Sequence, residues 1–260
     1  MNEVHQTRSF ILTAAVGIAM VTAPVLADTV SVAPPTTFPS VVPLSTGTSD
    51  WVHYGAANNS SANYGTPVQD SPATGTNFSM VSSTGTSQPE NYTFSTKHPS
   101  FTWTNGTPDS TGNTRSTAFV FIDSAAQGLA FTLAVAAHSS ETLNVYADSY
   151  QGGNSLTLNT TLTATLQTSG ISGTYTGMLP AGVEPDDTMY ANHEWGVYAV
   201  LVSNTSASSE LLAVQLTQSN GSTVGLIGAT VTAVPEPSAF PLLPVAGTGL
   251  FLIFRRRRAA

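Results

Sequence analysis

The chain has 260 residues and sets 7 Lys+Arg against 15 Asp+Glu, with no Cys and only 8% charged residues, where an ordinary soluble domain carries about 25%. Its 38 Thr and 30 Ser take the place of the missing ions. A net charge of −8 excludes a phosphate-neutralising patch for nucleic acid, and the lack of Cys excludes disulfide and thiolate chemistry outright.

Residues 1–27 are laid out as a secretory signal: a short polar head with His5 and Arg8, an apolar stretch over 10–21, and Val25-Leu26-Ala27 before Asp28. Small residues one and three places before a cut fit a signal peptidase, and an apolar run of about a dozen is too short to span a bilayer. The expected cleavage therefore lies between Ala27 and Asp28. Residues 28–49 contain Pro34, Pro35, Pro39 and Pro43. They read as a Pro/Thr-rich leader or an edge strand, because proline blocks central ladder positions.

From 50 to about 114 the chain is dense in turn signals, among them Asn63-Tyr64-Gly65, Ser71-Pro72 and Asn105-Gly106. Between them lie short aromatic segments at 51–54, 78–81, 92–94 and 101–103, which fit short strands. From 116 onward the apolar residues alternate: Phe119 and Phe121; Leu129, Phe131, Leu133 and Val135; Leu143 and Val145; Leu156, Leu158, Leu162 and Leu166. Strands at 195–202, 211–216 and 223–231 follow, the last two joined by Ser219-Asn220-Gly221-Ser222, an expected Asn-Gly hairpin. No helical period runs through 28–234. The expected fold is all-β: a single antiparallel two-sheet β-sandwich over 50–233, jelly-roll or immunoglobulin-like, flanked by an N-terminal signal helix and a C-terminal transmembrane helix.

Three stretches of this span, Asp50-Trp51-Val52-His53-Tyr54-Gly55, Phe101-Thr102-Trp103-Thr104-Asn105-Gly106-Thr107-Pro108 and Glu141-Thr142-Leu143-Asn144-Val145-Tyr146 after the 128–136 strand, resemble a recurrent extracellular β-sandwich module of bacterial surface proteins. The resemblance covers about 50–231 and implies an accessory module that accompanies glycan-active domains. The chain departs from that pattern in a long insert at 169–192 and in Tyr54, where Trp often follows the histidine.

The C-terminus reads Val234-Pro235-Glu236-Pro237-Ser238, then an apolar run over 239–254, then Arg255, Arg256, Arg257 and Arg258. At a helical rise of about 1.5 Å the run reaches only about 24 Å, short of a hydrocarbon core of about 30 Å. The arginines snorkel to the interface and stay cytoplasmic. This order of parts over 234–260 resembles the PEP-CTERM sorting signal of Gram-negative bacteria. The resemblance implies recognition by exosortase, a membrane cysteine protease that cuts near the Pro-Glu-Pro after export, and an association with extracellular polysaccharide and biofilm matrix. Pro235 and Pro237 keep the segment extended and outside the helix, so that a protease can read it as a strand.

Candidate chemistry is sparse. Trp51, Tyr54 and Trp103 are the candidate sugar-stacking residues, with Asp50, His53 and the Asn105-Gly106 turn beside them; the competing reading makes the same aromatics core. Glu184, Asp186 and Asp187 are the candidate ligands for Ca²⁺, which needs six to eight oxygens, against solvated loop charge. His193-Glu194 lacks the second histidine of a zincin helix. A glycan hydrolase would need two carboxyls about 5 to 10 Å apart in a cleft, drawn from Glu141, Asp148, Glu184 and Glu194. No catalytic residue stands out. The sequence therefore predicts an exported, transiently membrane-anchored surface protein, structural or adhesive within an exopolysaccharide matrix, without catalysis or cofactor. Its alternatives are a non-catalytic carbohydrate-binding module and a secreted glycan hydrolase. Signal peptidase and exosortase are the expected processing partners. With both terminal segments removed, residues 28–234 keep Lys97 and Arg115 against 13 carboxylates, a net charge of −11.

Overall fold

The structure, a computed structural model, describes residues 27–37, 39, 41–54, 68–70, 78–79, 81–85, 90–93, 100–104, 106–107, 111–114, 118–122, 127–150, 159–180, 193–218 and 223–234. The segments at 1–26 and 235–260, which hold most of the expected secretion signal and the sorting motif, lie outside these residues. Among the described residues every regular element is a strand, and no helix is long and apolar enough to cross a membrane.

The largest sheet has nine strands. Its path runs β1 (Thr29–Val32), β15 (His193–Asn204), β12 (Ser139–Tyr150), β17 (Thr223–Ala233), β3 (Asp50–His53), β4 (Val68–Asp70) and β8 (Gly106–Thr107), while β10 (Ala118–Ile122) also pairs with β17 and carries β6 (Glu90–Thr93). A five-stranded sheet orders β14 (Ser172–Gly177), β13 (Thr160–Leu166), β16 (Glu210–Gln218), β11 (Gly128–Val135) and β5 (Ser82–Ser83). A three-stranded sheet orders β2 (Val41–Pro43), β7 (Ser100–Thr104) and β9 (Thr111–Thr114). The pairings are antiparallel apart from β2 with β7, which is parallel.

Alternation decides how these sheets stack. In β11, β13 and β16 every second side chain is buried, so the five-stranded sheet turns one face inward and the other to solvent. Its inner residues Leu129, Phe131, Leu133, Val135, Leu162, Leu166, Leu212, Val214 and Leu216 share one core with Leu143, Val145, Tyr198, Val200, Val202, Leu226 and Val231 of the nine-stranded sheet. This is the expected sandwich. It carries an addition that the two-sheet expectation lacked: the three-stranded sheet covers the far face of the nine-stranded one. Val42, Leu44, Phe101 and Trp103 pack there against Trp51, Tyr146, Trp195 and Ile227 in a second core.

Strand β17 consequently has no wet face; its first nine residues are all buried. Its register against β12 shifts between Tyr146 and Ala147, which pair with Gly228 and Leu226. Ile227 is the extra residue of this bulge. Val224, Leu226, Ala229 and Val231 face the main core, and Ile227 faces the second one. Gly228 is required by the next strand, because a Cβ there would stand 2.5 Å from the carbonyl oxygen of Val52.

One further expectation is corrected, and two stretches gain detail. Strands β16 and β17 belong to different sheets and do not pair, so the expected hairpin is not formed; residues 219–222 themselves lie outside the described residues. The stretch at 169–192 contains β14, joined to β13 by a turn that closes at Gly170 with φ of 72°. Of the two readings of 28–49 the edge strand holds: β1 is an edge strand on β15, and β2 pairs with β7 in the third sheet.

Asn204, the last residue of β15, is buried and ties one end of the sandwich together. Its side-chain amide donates to the carbonyls of Val135, Ala136 and Ser208 at 3.3, 3.0 and 3.0 Å. Its oxygen accepts from the backbone N–H and hydroxyl of Ser206. Replacing it strands several buried polar groups, each costing about 1–3 kcal/mol. Asn204→Ala should therefore lower the unfolding free energy by at least about 1–3 kcal/mol, whereas Thr163→Ala on the solvent face of β13 should stay within about 0.5 kcal/mol. Denaturant midpoints measured at constant m check both.

Candidate functional site

The candidate aromatics are buried in and just after β3 and on the inner face of β7. In β3, Asp50, Trp51, Val52 and His53 are all buried, because Val52 looks into the main core and Trp51 into the second one. Trp51 is 0%, Tyr54 4% and Trp103 3% exposed. Trp51 lies 6.0 Å from Trp103, and the His53 ring stacks on Trp103 at 5.4 Å and 28°. Phe101 meets the His53 ring at 5.5 Å and Tyr146 edge-on at 5.5 Å. Tyr54 turns to the other side: its ring packs 5.6 Å from Phe131, and its hydroxyl donates to the Ser79 carbonyl. Burial pushes the Tyr54 phenol well above its ordinary pKa, with the Asp50 carboxylate adding to the shift.

Trp51, Tyr54 and Trp103 thus present no ring face on which a sugar could stack, and they point into two different cores. This corrects their assignment as a stacking platform. The physical reason is the third sheet, which uses Trp103 and Trp51 as the filling between layers.

The carboxylates do not converge on a cleft either. Asp148 pairs with Trp195 and Ser149 with Glu194 across β12 and β15, and since successive side chains alternate, Asp148 and Glu194 stand on opposite faces of the sheet. Asp148 is fully buried. Burial raises the Glu194 pKa, a hydrogen bond from the Leu179 backbone opposes the shift, and the Asp148 charge adds to it. Glu141 lies near the other end of β12, where burial and the Asp50 charge raise its pKa against hydrogen bonds from Ser139 and Ala136. His193 and Glu194 begin a strand, so they cannot present the one-sided helical array of a zincin. Glu184, Asp186 and Asp187 lie outside the described residues, and no group of three or more His, Asp or Glu able to hold a metal occurs among the described ones.

The surface that the structure does build is the outer face of the five-stranded sheet. Across β13 and β14 the hydroxyls of Thr161 and Thr176, Thr163 and Thr174, and Thr165 and Ser172 pair at 2.9, 3.1 and 2.9 Å. The registers continue these rows through Thr217, Gln215 and Ala213 of β16 and then Ala130 and Thr132 of β11. No charged side chain stands in them. Strands are about 4.8 Å apart and same-face residues about 6.8 Å apart, so hydroxyls, methyls and one amide form a shallow lattice. Each hydroxyl pair uses one proton internally and keeps one donor for a third party. The alternating Thr of 161–165 and 174–176 was the signal for this face, and a search for aromatics and carboxylates passes over it.

The raised carboxyls have a defined sign. A carboxyl whose pKa is higher folded than unfolded favours the native state most below its ordinary value of 4.5, and that stabilisation is lost as pH rises through the raised pKa. Glu194→Gln should therefore raise the thermal midpoint near neutral pH, with the gain vanishing in acid. Asp28 behaves oppositely, because the backbone N–H and then the hydroxyl of Thr205 hold its carboxylate below 3.8. Asp28→Asn should lower the midpoint near neutral pH and matter less as pH falls. Since the chain's three tryptophans are all buried, at 0%, 3% and 5% exposure, soluble oligosaccharides should leave their emission unchanged, which a fluorescence titration reads directly.

No family model matches the chain, and no curated protein does. Solved structures similar to part of it include the enzymatically active domain of tailspike protein 4 of bacteriophage CBA120, at 13% identity and a TM-score of 0.32, covering 64% of this chain and 21% of that one. Another is the CBM22-1–GH10 modules of the Clostridium thermocellum N-terminal endo-1,4-β-D-xylanase 10B in complex with xylohexaose, at 8% identity and a TM-score of 0.29, covering 59% of this chain and 26% of that one.

Proposed function

We propose that this chain is an exported cell-surface protein of a Gram-negative bacterium, delivered by its N-terminal signal and sorted by exosortase at a PEP-CTERM tail. Its folded part serves as a non-catalytic structural or adhesive unit of an exopolysaccharide matrix. The observation that carries the reading is where the two processing sites fall relative to the strands. Asp28, the residue after the first expected cut, is fastened to Thr205 through its carboxylate, and β1 starts at the next residue. At the other end, the Val234 N–H donates to the Ser140 carbonyl, and Pro235 opens the sorting motif immediately afterwards. Both cuts would spare every described strand.

The charge distribution supports the same setting. An exported domain of net charge −11 repels anionic polymers, so a glycan partner would be neutral or bridged by cations. The separation of Asp148 from Glu194 on opposite faces of the sheet favours a structural role over glycosidic cleavage, which needs two carboxyls flanking the scissile bond in one cleft.

Mass spectrometry of the mature protein tests the reading. The expected species starts at Asp28 and ends close to Pro235-Glu236-Pro237, and Glu236→Ala should leave unprocessed chain in the membrane. Mature protein that retains Arg255 to Arg258 would sink the sorting assignment.

A further inference from the structure

Sheet edges are the places where one protein can add backbone hydrogen bonds to another, and native folds blunt them with short length, proline, charge or bulges. Most edges of this fold are blunted in one of those ways. Strands β5 and β8 have two residues each, β2 ends in Pro43, β6 begins with Glu90, and β1 runs from Asp28 into Pro34-Pro35. Strand β9, the other edge of the three-stranded sheet, has four residues, and the longest unblunted edge among the described residues is β14. It has six residues, Ser-Gly-Thr-Tyr-Thr-Gly, with no charge and no proline, and its residues alternate between exposed and half-buried without a bulge.

The phase of its ladder shows what this edge offers. Ile171, just before β14, accepts a hydrogen bond from the Leu166 N–H, so the residues bonded to β13 are the odd ones, and Ser172, Thr174 and Thr176 turn their N–H and C=O groups away from it. The close hydroxyl pairs on these same three residues agree, since side chains approach most nearly at positions without ladder bonds. No described backbone group takes up these outward N–H and C=O groups. Strand β1 crosses the inner side of β14, where a Cβ on Gly173 would stand 2.9 Å from the Val30 carbonyl oxygen. It supports the strand there without pairing along its edge.

We propose that β14 is an assembly edge through which two copies of this chain pair antiparallel, about a two-fold axis at Thr174, so that their five-stranded sheets become one. In that register Thr174 faces the second copy's Thr174, and Ser172 faces its Thr176. The outward N–H and C=O groups of all three residues find partners in both copies, and the hydroxyl rows run on unbroken across the joint. The occupant is a second copy because the edge is self-complementary: it is uncharged, and its central residue can lie opposite itself. An extended strand of opposite charge would find no counter-ion here. Each copy carries the same excess of carboxylates, so association strengthens as added salt screens them. The inference gives a mechanism to the structural role proposed above and rests on it for its purpose only. Its test uses purified protein, so it stands or falls separately from tail processing.

The chain has no cysteine, which makes a cross-linking series clean. Full-length Thr174→Cys, Ser172→Cys and Thr163→Cys are purified in detergent, which masks the apolar run at 239–254, and oxidised at physiological salt. In the proposed register residue 174 meets its own copy at a Cα separation of about 5.5 Å, within the range a disulfide bridges, whereas 172 and 163 do not. The expected result is disulfide-linked dimer forming an order of magnitude faster for Thr174→Cys than for the other two, together with a wild-type dimer in sedimentation whose fraction rises with salt. Equal rates for the three variants, fastest linkage at 163, or a monomer at every concentration would overturn it.

Discussion

Strand β17 has water on neither side, and the rest of the molecule is arranged around that fact. A strand buried on both faces cannot alternate apolar with polar residues, and Thr-Val-Gly-Leu-Ile-Gly-Ala-Thr-Val is accordingly a run of small and apolar residues. One cover is ordinary, the inner face of the five-stranded sheet. The other must be supplied separately, and the three-stranded sheet exists to supply it, with Trp103 and Phe101 as the filling. The bulge at Ile227 distributes the strand's side chains between the two cores.

This constraint separates what could be read from the sequence from what could not. Where a strand has one wet face, as in β11, β13 and β16, alternation names both the strand and its buried residues, and Leu129 to Val135 or Leu162 to Leu166 behave as their spacing demands. Where both faces are covered the pattern loses its meaning. Trp51 looked equally suited to a core or to a sugar, and the choice depends on a parallel pairing of Val41–Pro43 with β7 that no local signal announces. Asn220-Gly221 looked like a hairpin because an Asn-Gly pair lies between two apolar segments, yet one flank belongs to the five-stranded sheet and the other to the nine-stranded one. Strand β14 escaped notice for the opposite reason: glycine, threonine and tyrosine with little apolar weight read as a loop, and only the cross-strand hydroxyl pairs reveal the ladder.

The placement of polar groups follows the same logic of layers. Where carboxylates enter the interior or its rim, burial pushes them toward the protonated form, as at Glu141 and Glu194. Where they hold a chain end in place they are ionised and hydrogen-bonded, as at Asp28. The broad outer face of the five-stranded sheet is left to uncharged side chains, mostly hydroxyls, with Leu211 and Gln215 among them. A protein so poor in lysine cannot interleave charges of both signs over its surface, and it keeps its acidic groups off its flattest side.

Strand β17 is also the last strand among the described residues, and it pairs with β12, β3 and β10 near the middle of the nine-stranded sheet. A polypeptide that appears amino end first, from a ribosome or through a membrane pore, therefore makes its keystone last. Until residues 223–233 emerge, β3 and β10 have no strand joining them to β12, and the second core lacks Ile227. High sequence separation between partners already slows folding; here order of appearance adds to the delay. The nine-stranded sheet and the second core are therefore completed only when residues 223–233 join them.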